Sequence, residues 1–125
     1  MFEIEILGIP PSVNSCYVNG LRQGVRFKSA QYKKWEILVN FTVKKIKVIP
    51  RFIGPLRLEI EVYRPDWYNK DLTIKKADIS NRIKTLEDSV FKHLGADDSL
   101  VWEINAKKMD SNIFKTVMRI YEMNF

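Results

Sequence analysis

Residues 56–63 read LRLEIEVY, in which Leu56, Leu58, Ile60 and Val62 alternate with Arg57, Glu59, Glu61 and Tyr63. Successive side chains of a strand point to opposite faces, so this period of two predicts a strand with one face on a core. Downstream, RPDWYNKDLTIKKA at 64–77 is polar, basic and aperiodic, and reads as a loop. The period then changes. Ile79, Ile83, Leu86, Val90 and Leu94 recur at helical spacing, and Gly95 is placed to end the helix in a left-handed turn. Two strands are expected after it, at about 101–107 and 113–121, joined through the turn-forming Asp110-Ser111-Asn112.

Upstream, Phe2-Glu3-Ile4-Glu5-Ile6-Leu7 alternates apolar and acidic residues and predicts a first strand, ended by Gly8 and Pro10-Pro11. Residues 12–28 carry Asn14, Asn19-Gly20 and Gly24 and read as a long loop, with a hairpin about Asn19-Gly20 as one arrangement. Ser29 suits the N-cap of a helix running to about Val48. Its apolar stripe would be Tyr32, Trp35, Val39, Thr42, Val43 and Ile46, and Pro50 and Gly54-Pro55 stop it. The order β-α-β-α-β-β predicts an α/β (α+β) fold, a mixed sheet with two main helices, in a single domain over 1–125.

Composition narrows the chemistry. An apolar content of 46 % over 125 residues suits one core. No run approaches the length of a membrane span and the first residues lack a signal-peptide pattern, so a cytoplasmic protein is expected. Cys16 and His93 each stand alone, which leaves only oxygen ligands for a metal and points to Mg²⁺ or Mn²⁺ over Zn²⁺. A formal charge of +6 calls for a polyanionic partner, because Lys and Arg that neutralise phosphates release counterions.

Against that basic background, acidic residues gather between 75 and 103. Asp78 precedes the second helix, Lys84 lies on it, and Asp97-Asp98 follow its terminal glycine. If the next strand folds back past the helix start, the carboxylates converge on one cation beside the Lys84 ammonium, which is a phosphoryl-transfer constellation. Each residue also has a structural alternative: Asp78 as a helix cap, Asp97-Asp98 as a turn, and Lys84 as part of a solvated face.

The run Asp78-Ile79-Ser80-Asn81, Lys84, Asp88, then Gly95-Ala96-Asp97-Asp98-Ser99 resembles the signature of the RusA Holliday-junction resolvases. That pattern is Asp-x-Asp-Asn, a Lys three residues beyond the Asn, and an Asp pair further on. Pro10-Pro11-Ser12-Val13-Asn14 resembles the same family's opening segment, so the likeness covers most of the chain. It implies a homodimer that binds four-way DNA junctions and nicks two strands symmetrically with Mg²⁺ or Mn²⁺, and no small-molecule cofactor. By position, Asp78 and Asp98 become metal ligands, Asp97 a neighbour or additional ligand, Lys84 the catalytic lysine, and Asn81 an orienting residue.

Ser80 departs from the pattern, which expects a second Asp there. Serine is neutral, so the site loses one negative charge unless another carboxylate supplies it. Glu87 is the candidate: it lies within about 20° of the Ser80 meridian and about two turns further along, whereas Asp88 points about 80° away. Glu87 as a solvated neighbour of the apolar stripe is the alternative. Lys70, Lys75, Lys76 and Arg82 flank the site and, with Asn14, form the expected DNA surface, while Arg22, Arg26 and Lys28 occupy the long loop. Trp67 and Tyr68 read either as packed loop aromatics or as a wedge into a junction.

Two other functions are compatible with parts of the sequence. One keeps the fold but lets Ser80 mark a protein that binds branched DNA without cutting it. The other is an RRM-like RNA-binding domain, which lacks here the basic-Gly-aromatic strand motif and leaves the acidic cluster unexplained.

Overall fold

The computed structural model describes residues 1–75 and 79–123. Its elements are β1 (Phe2–Ile6), β2 (Tyr17–Asn19), β3 (Arg26–Lys28), α1 (Ala30–Lys44), β4 (Leu56–Arg64), α2 (Ser80–Leu94), β5 (Val101–Asp110) and β6 (Lys115–Glu122). A mixed sheet in the order β1-β6-β4-β5 carries both helices on one face. β4 pairs in parallel with β5 through the α2 crossover and antiparallel with β6, which in turn pairs antiparallel with β1.

Alternation decides which face is covered. Leu56, Leu58, Ile60 and Val62 of β4 meet Ile4, Ile6, Met118 and Ile120 from the flanking strands, and Trp35, Val39, Val43, Leu86, Val90 and Phe91 from the helices. Leu86 is fully buried there, a position where truncation to alanine costs about 2–5 kcal/mol. A buried relay clasps the two helices: Trp35 Nε1 donates to Ser89 Oγ at 2.9 Å, and that hydroxyl donates to the Thr85 carbonyl at 2.7 Å. The opposite face is laced by charge, with Arg119 bridging Glu3 at 3.1 Å and Glu61 at 2.7 Å, and Lys115 meeting Glu5 at 3.4 Å.

The expected architecture holds, and several boundaries move. Ser29 caps α1 by accepting from Tyr32 N–H at 3.1 Å, but the helix ends at Lys44 and not near Val48. The hairpin in the long loop is real as β2 and β3, although its tip lies beyond Asn19-Gly20, with Gly20 N–H donating to Val25 O at 2.7 Å. β5 and β6 are not neighbours. Ser111–Phe114 passes over the end of β4, and Ser111 N–H donates to Arg64 O at 3.3 Å. No helix among the described residues is long and apolar enough to cross a membrane.

Candidate functional site

α2 is the element on which the site is built. Gly95 stops it with φ +69°, a left-handed conformation costly to a side-chain-bearing residue, and Ala96 N–H returns to Phe91 O at 3.0 Å. The chain then turns at once into a single 3-10 turn, Asp98–Leu100, that leads into β5. Asp97 shapes that turn: its carboxylate accepts from Ser99 N–H at 2.9 Å, and this bond holds its pKa below the usual range.

The reversal sets Asp98 just past the C-terminal end of α2, whose middle carries Glu87. Partial burial, then Asp98, then Asp88 push the Glu87 carboxyl above its ordinary value, and Lys84 works the other way. Lys84 reaches Asp88 at 3.3 Å across one helical turn. Glu87 is half-buried and Asp98 exposed, and Lys84 is paired with Asp88. Asp88, treated in the sequence as a poor candidate, stands within electrostatic reach of Glu87.

Asp78 and Lys76 lie outside the described residues, so the meeting of Asp78 with Asp98 is not part of this geometry. Ser80 opens α2, and Asn81 and Arg82 follow it half-buried. The described residues contain no ready-made group of three His, Cys, Asp or Glu side chains around one cation position.

The opening Pro-Pro segment packs beside the first turns of α2. Arg82 Nη1 donates to Pro10 O at 2.7 Å, and Cys16 Sγ lies 3.4 Å from Thr85 Oγ1. This places the exposed Asn14, in the 3-10 turn Val13–Ser15, on the α2 side of the molecule. Arg82 thus serves as a tether, with a half-buried guanidinium, whereas Lys70 is exposed and Lys75 pairs with Asp66 at 3.2 Å.

One cluster was missed in the sequence. Arg64 Nη2 donates to Asp66 Oδ2 at 2.9 Å, and Lys75 meets the same oxygen from the far end of the loop. The Arg64 guanidinium holds the Asp66 carboxyl well below the usual range, and Lys75 adds to it. The loop so closed also carries Trp67, which is buried with its indole N–H donating to Met109 O at 2.9 Å, and the exposed Tyr68. Of the two aromatics, Trp67 is packed and Tyr68 is presented to solvent. The signal available in the sequence was the opposite charge of Arg64 and Asp66 across a proline.

A second brace fixes the β2–β3 hairpin. Glu36 binds Lys28 at 2.6 Å and Lys92 at 3.3 Å, joining hairpin, α1 and α2, and the two ammonium groups outweigh partial burial to lower its pKa.

The family model for endodeoxyribonuclease RusA matches residues 8–121, nearly the whole chain. A comparison with curated proteins finds no match. The matched span runs from the Pro-Pro segment through α2 and the Asp97-Asp98 turn to β6.

Proposed function

The chain belongs to the RusA endodeoxyribonuclease family, and from that premise we propose that it resolves four-way DNA junctions by paired, metal-dependent nicks. The observation that carries the reading is the family match from residue 8 to residue 121, in a protein of net charge +6 that keeps Lys84 and the Asp97-Asp98 pair. Carboxylates held together near phosphates repel them unless a cation intervenes.

The donor chemistry fits a hard cation. His93 Nδ1 lies 2.7 Å from Ser89 O and Cys16 is buried against Thr85, so oxygen ligands remain. Asp78, Asp98 and Glu87 would hold Mg²⁺ or Mn²⁺, and Glu87 would supply the negative charge that Ser80 does not. When bound, the cation supplies Lewis-acid polarisation of the phosphate and a lowered pKa for water.

The remaining roles belong to the protein's own groups. Asp97 positions Asp98 by fixing the turn through Ser99 N–H. Lys84, held beside Asp88 in the free protein, offsets charge on the phosphate undergoing cleavage. Asn81 and Ser80, at the helix start, orient the substrate side of the site. Lys70, Lys75, Lys76 and Asn14 contact the DNA backbone, which positions a duplex without reading its bases and suits selection by structure. A homodimer would present two such sites for symmetric cutting.

The test is cleavage of a labelled four-way junction against a linear duplex of the same sequence, with Mg²⁺, Mn²⁺ or EDTA. The second reading, a junction binder without cleavage, is favoured only by Ser80 in place of the expected Asp. Tight junction binding with no metal-dependent nick would select it.

A further inference from the structure

We infer that the β2–β3 hairpin is the arm with which this chain recognises the branch point of DNA, an inference that rests on the junction reading above. Arg22 and Arg26 hold phosphates, and Leu21 and Phe27 pack on base-pair faces that a continuous duplex keeps stacked.

Charge singles out this segment. Between Glu5 and Glu36 the chain carries Arg22, Arg26, Lys28, Lys33 and Lys34 and no acidic residue, in a protein of net charge +6. Among the described residues Lys28 alone of these five is paired with a carboxylate, that of Glu36. Arg26 lies over the Tyr17 ring at 4.9 Å, which leaves its charge unneutralised, and Arg22 is exposed. Uncompensated cations on an exposed hairpin suit a polyanion, because each phosphate contact releases counterions.

The apolar residues are on the outside as well. Every residue from Tyr17 to Phe27 except Gly20 is exposed. Leu21, in the connection between the strands, is wholly accessible. Val18 and Phe27, exposed at 52 % and 56 %, are cross-strand partners and so share one face. The other face is the anchored one: Tyr17 meets Tyr32 edge-on at 5.6 Å, and Lys28 binds Glu36 at 2.6 Å. The Val18–Phe27 face is thus turned from α1.

A hairpin with strands of three residues has little stability of its own. Its base supplies the rigidity. Ser29 N–H donates to Cys16 O at 2.8 Å, Ser29 Oγ donates to Ser15 O at 2.6 Å, and Cys16 touches Thr85, the neighbour of Lys84 in sequence. The arm is therefore fixed to α2 next to the proposed catalytic lysine. Apolar side chains flanked by arginines fit the crossing of a branched duplex, where stacking is interrupted. In a linear duplex the same insertion must first unstack a base step.

Anisotropy titrations of the intact protein in EDTA, on a labelled four-way junction and on a linear duplex of the same sequence, test the arm apart from cleavage. The wild type should prefer the junction. Leu21→Ser combined with Phe27→Ser should weaken junction binding about tenfold through lost stacking and leave duplex binding within about twofold. Arg22→Gln and Arg26→Gln should instead weaken binding to both substrates and each lower the slope of log affinity against log salt by about one. The apolar double variant without DNA should sediment as the wild type does. Equal losses on both substrates, no loss at all, or an unchanged salt slope in either arginine variant would overturn the inference. So would a changed sedimenting mass, which would assign the apolar face to a second copy of the chain. A wild type without junction preference would remove the junction reading too, whereas a selective wild type whose variants stay selective would overturn the arm alone.

Discussion

Arg82 Nη1 donates a 2.7 Å hydrogen bond to the carbonyl of Pro10, joining the start of α2 to the Pro-Pro segment 72 positions earlier in the chain. These are two stretches that carry the family likeness, and the bond makes them one structural unit. The guanidinium is half-buried, and desolvation followed by the nearby Arg64 lowers its pKa. A hydrogen bond from a charged donor contributes about 1.5–3 kcal/mol. Arg82→Gln should therefore lower unfolding stability by about 1–2 kcal/mol, measured by urea denaturation, because part of that contribution is offset by relief of desolvation.

Asp98→Asn should reduce junction nicking by about a hundredfold or more while leaving junction binding largely intact, since it removes a proposed metal ligand and no phosphate contact. Parallel cleavage and gel-shift titrations check it. Loss of binding with normal residual cutting would remove Asp98 from the ligand set.

Glu87→Gln separates stability from activity. In the metal-free protein the substitution removes a desolvated charge crowded by Asp98 and Asp88, so stability should stay level or rise by about 1 kcal/mol or less. If Glu87 supplies the charge missing at Ser80, half-maximal nicking should require about tenfold more Mg²⁺. An unchanged metal requirement would return Glu87 to the role of a neighbour. Ser80→Asp should preserve or improve metal affinity if that position faces the cation, and loss of cutting with unchanged affinity would show that it does not.

The strands and helices were legible because their periods are strong. β4 and α2 follow directly from the alternation at 56–63 and the helical spacing from Ile79 to Leu94, and Gly95 stops the helix where expected. The neighbour relations were less so. Asp110-Ser111-Asn112 looks like a hairpin turn, but β4 offers β5 a parallel partner and β6 an antiparallel one, so β4 takes the place between them. At the site, spacing along α2 identified Glu87 as a neighbour of Lys84. It could not show that Asp97 fixes the turn before β5 through Ser99 N–H, because that depends on how a left-handed Gly95 reverses the chain. Arg64, Asp66 and Lys75 were missed for a similar reason: the loop must close before its two ends meet.

That loop yields a pH prediction. The Asp66 carboxyl titrates lower in the folded protein than in the unfolded chain, where it sits near about 3.9. Its contribution to stability is then fully present above about pH 4 and is lost as pH falls below it. The advantage of wild type over Asp66→Asn in urea denaturation should be largest near neutral pH and should shrink on acidification through that range. A difference that is constant with pH would show that Asp66 does not act through its charge.

The central claim is tested most directly by following both strands of a labelled four-way junction with Mg²⁺, Mn²⁺ or EDTA, beside a linear duplex of the same sequence. Paired nicks on the junction alone, abolished by EDTA, are the predicted result. Tight junction binding without any metal-dependent cleavage would contradict it.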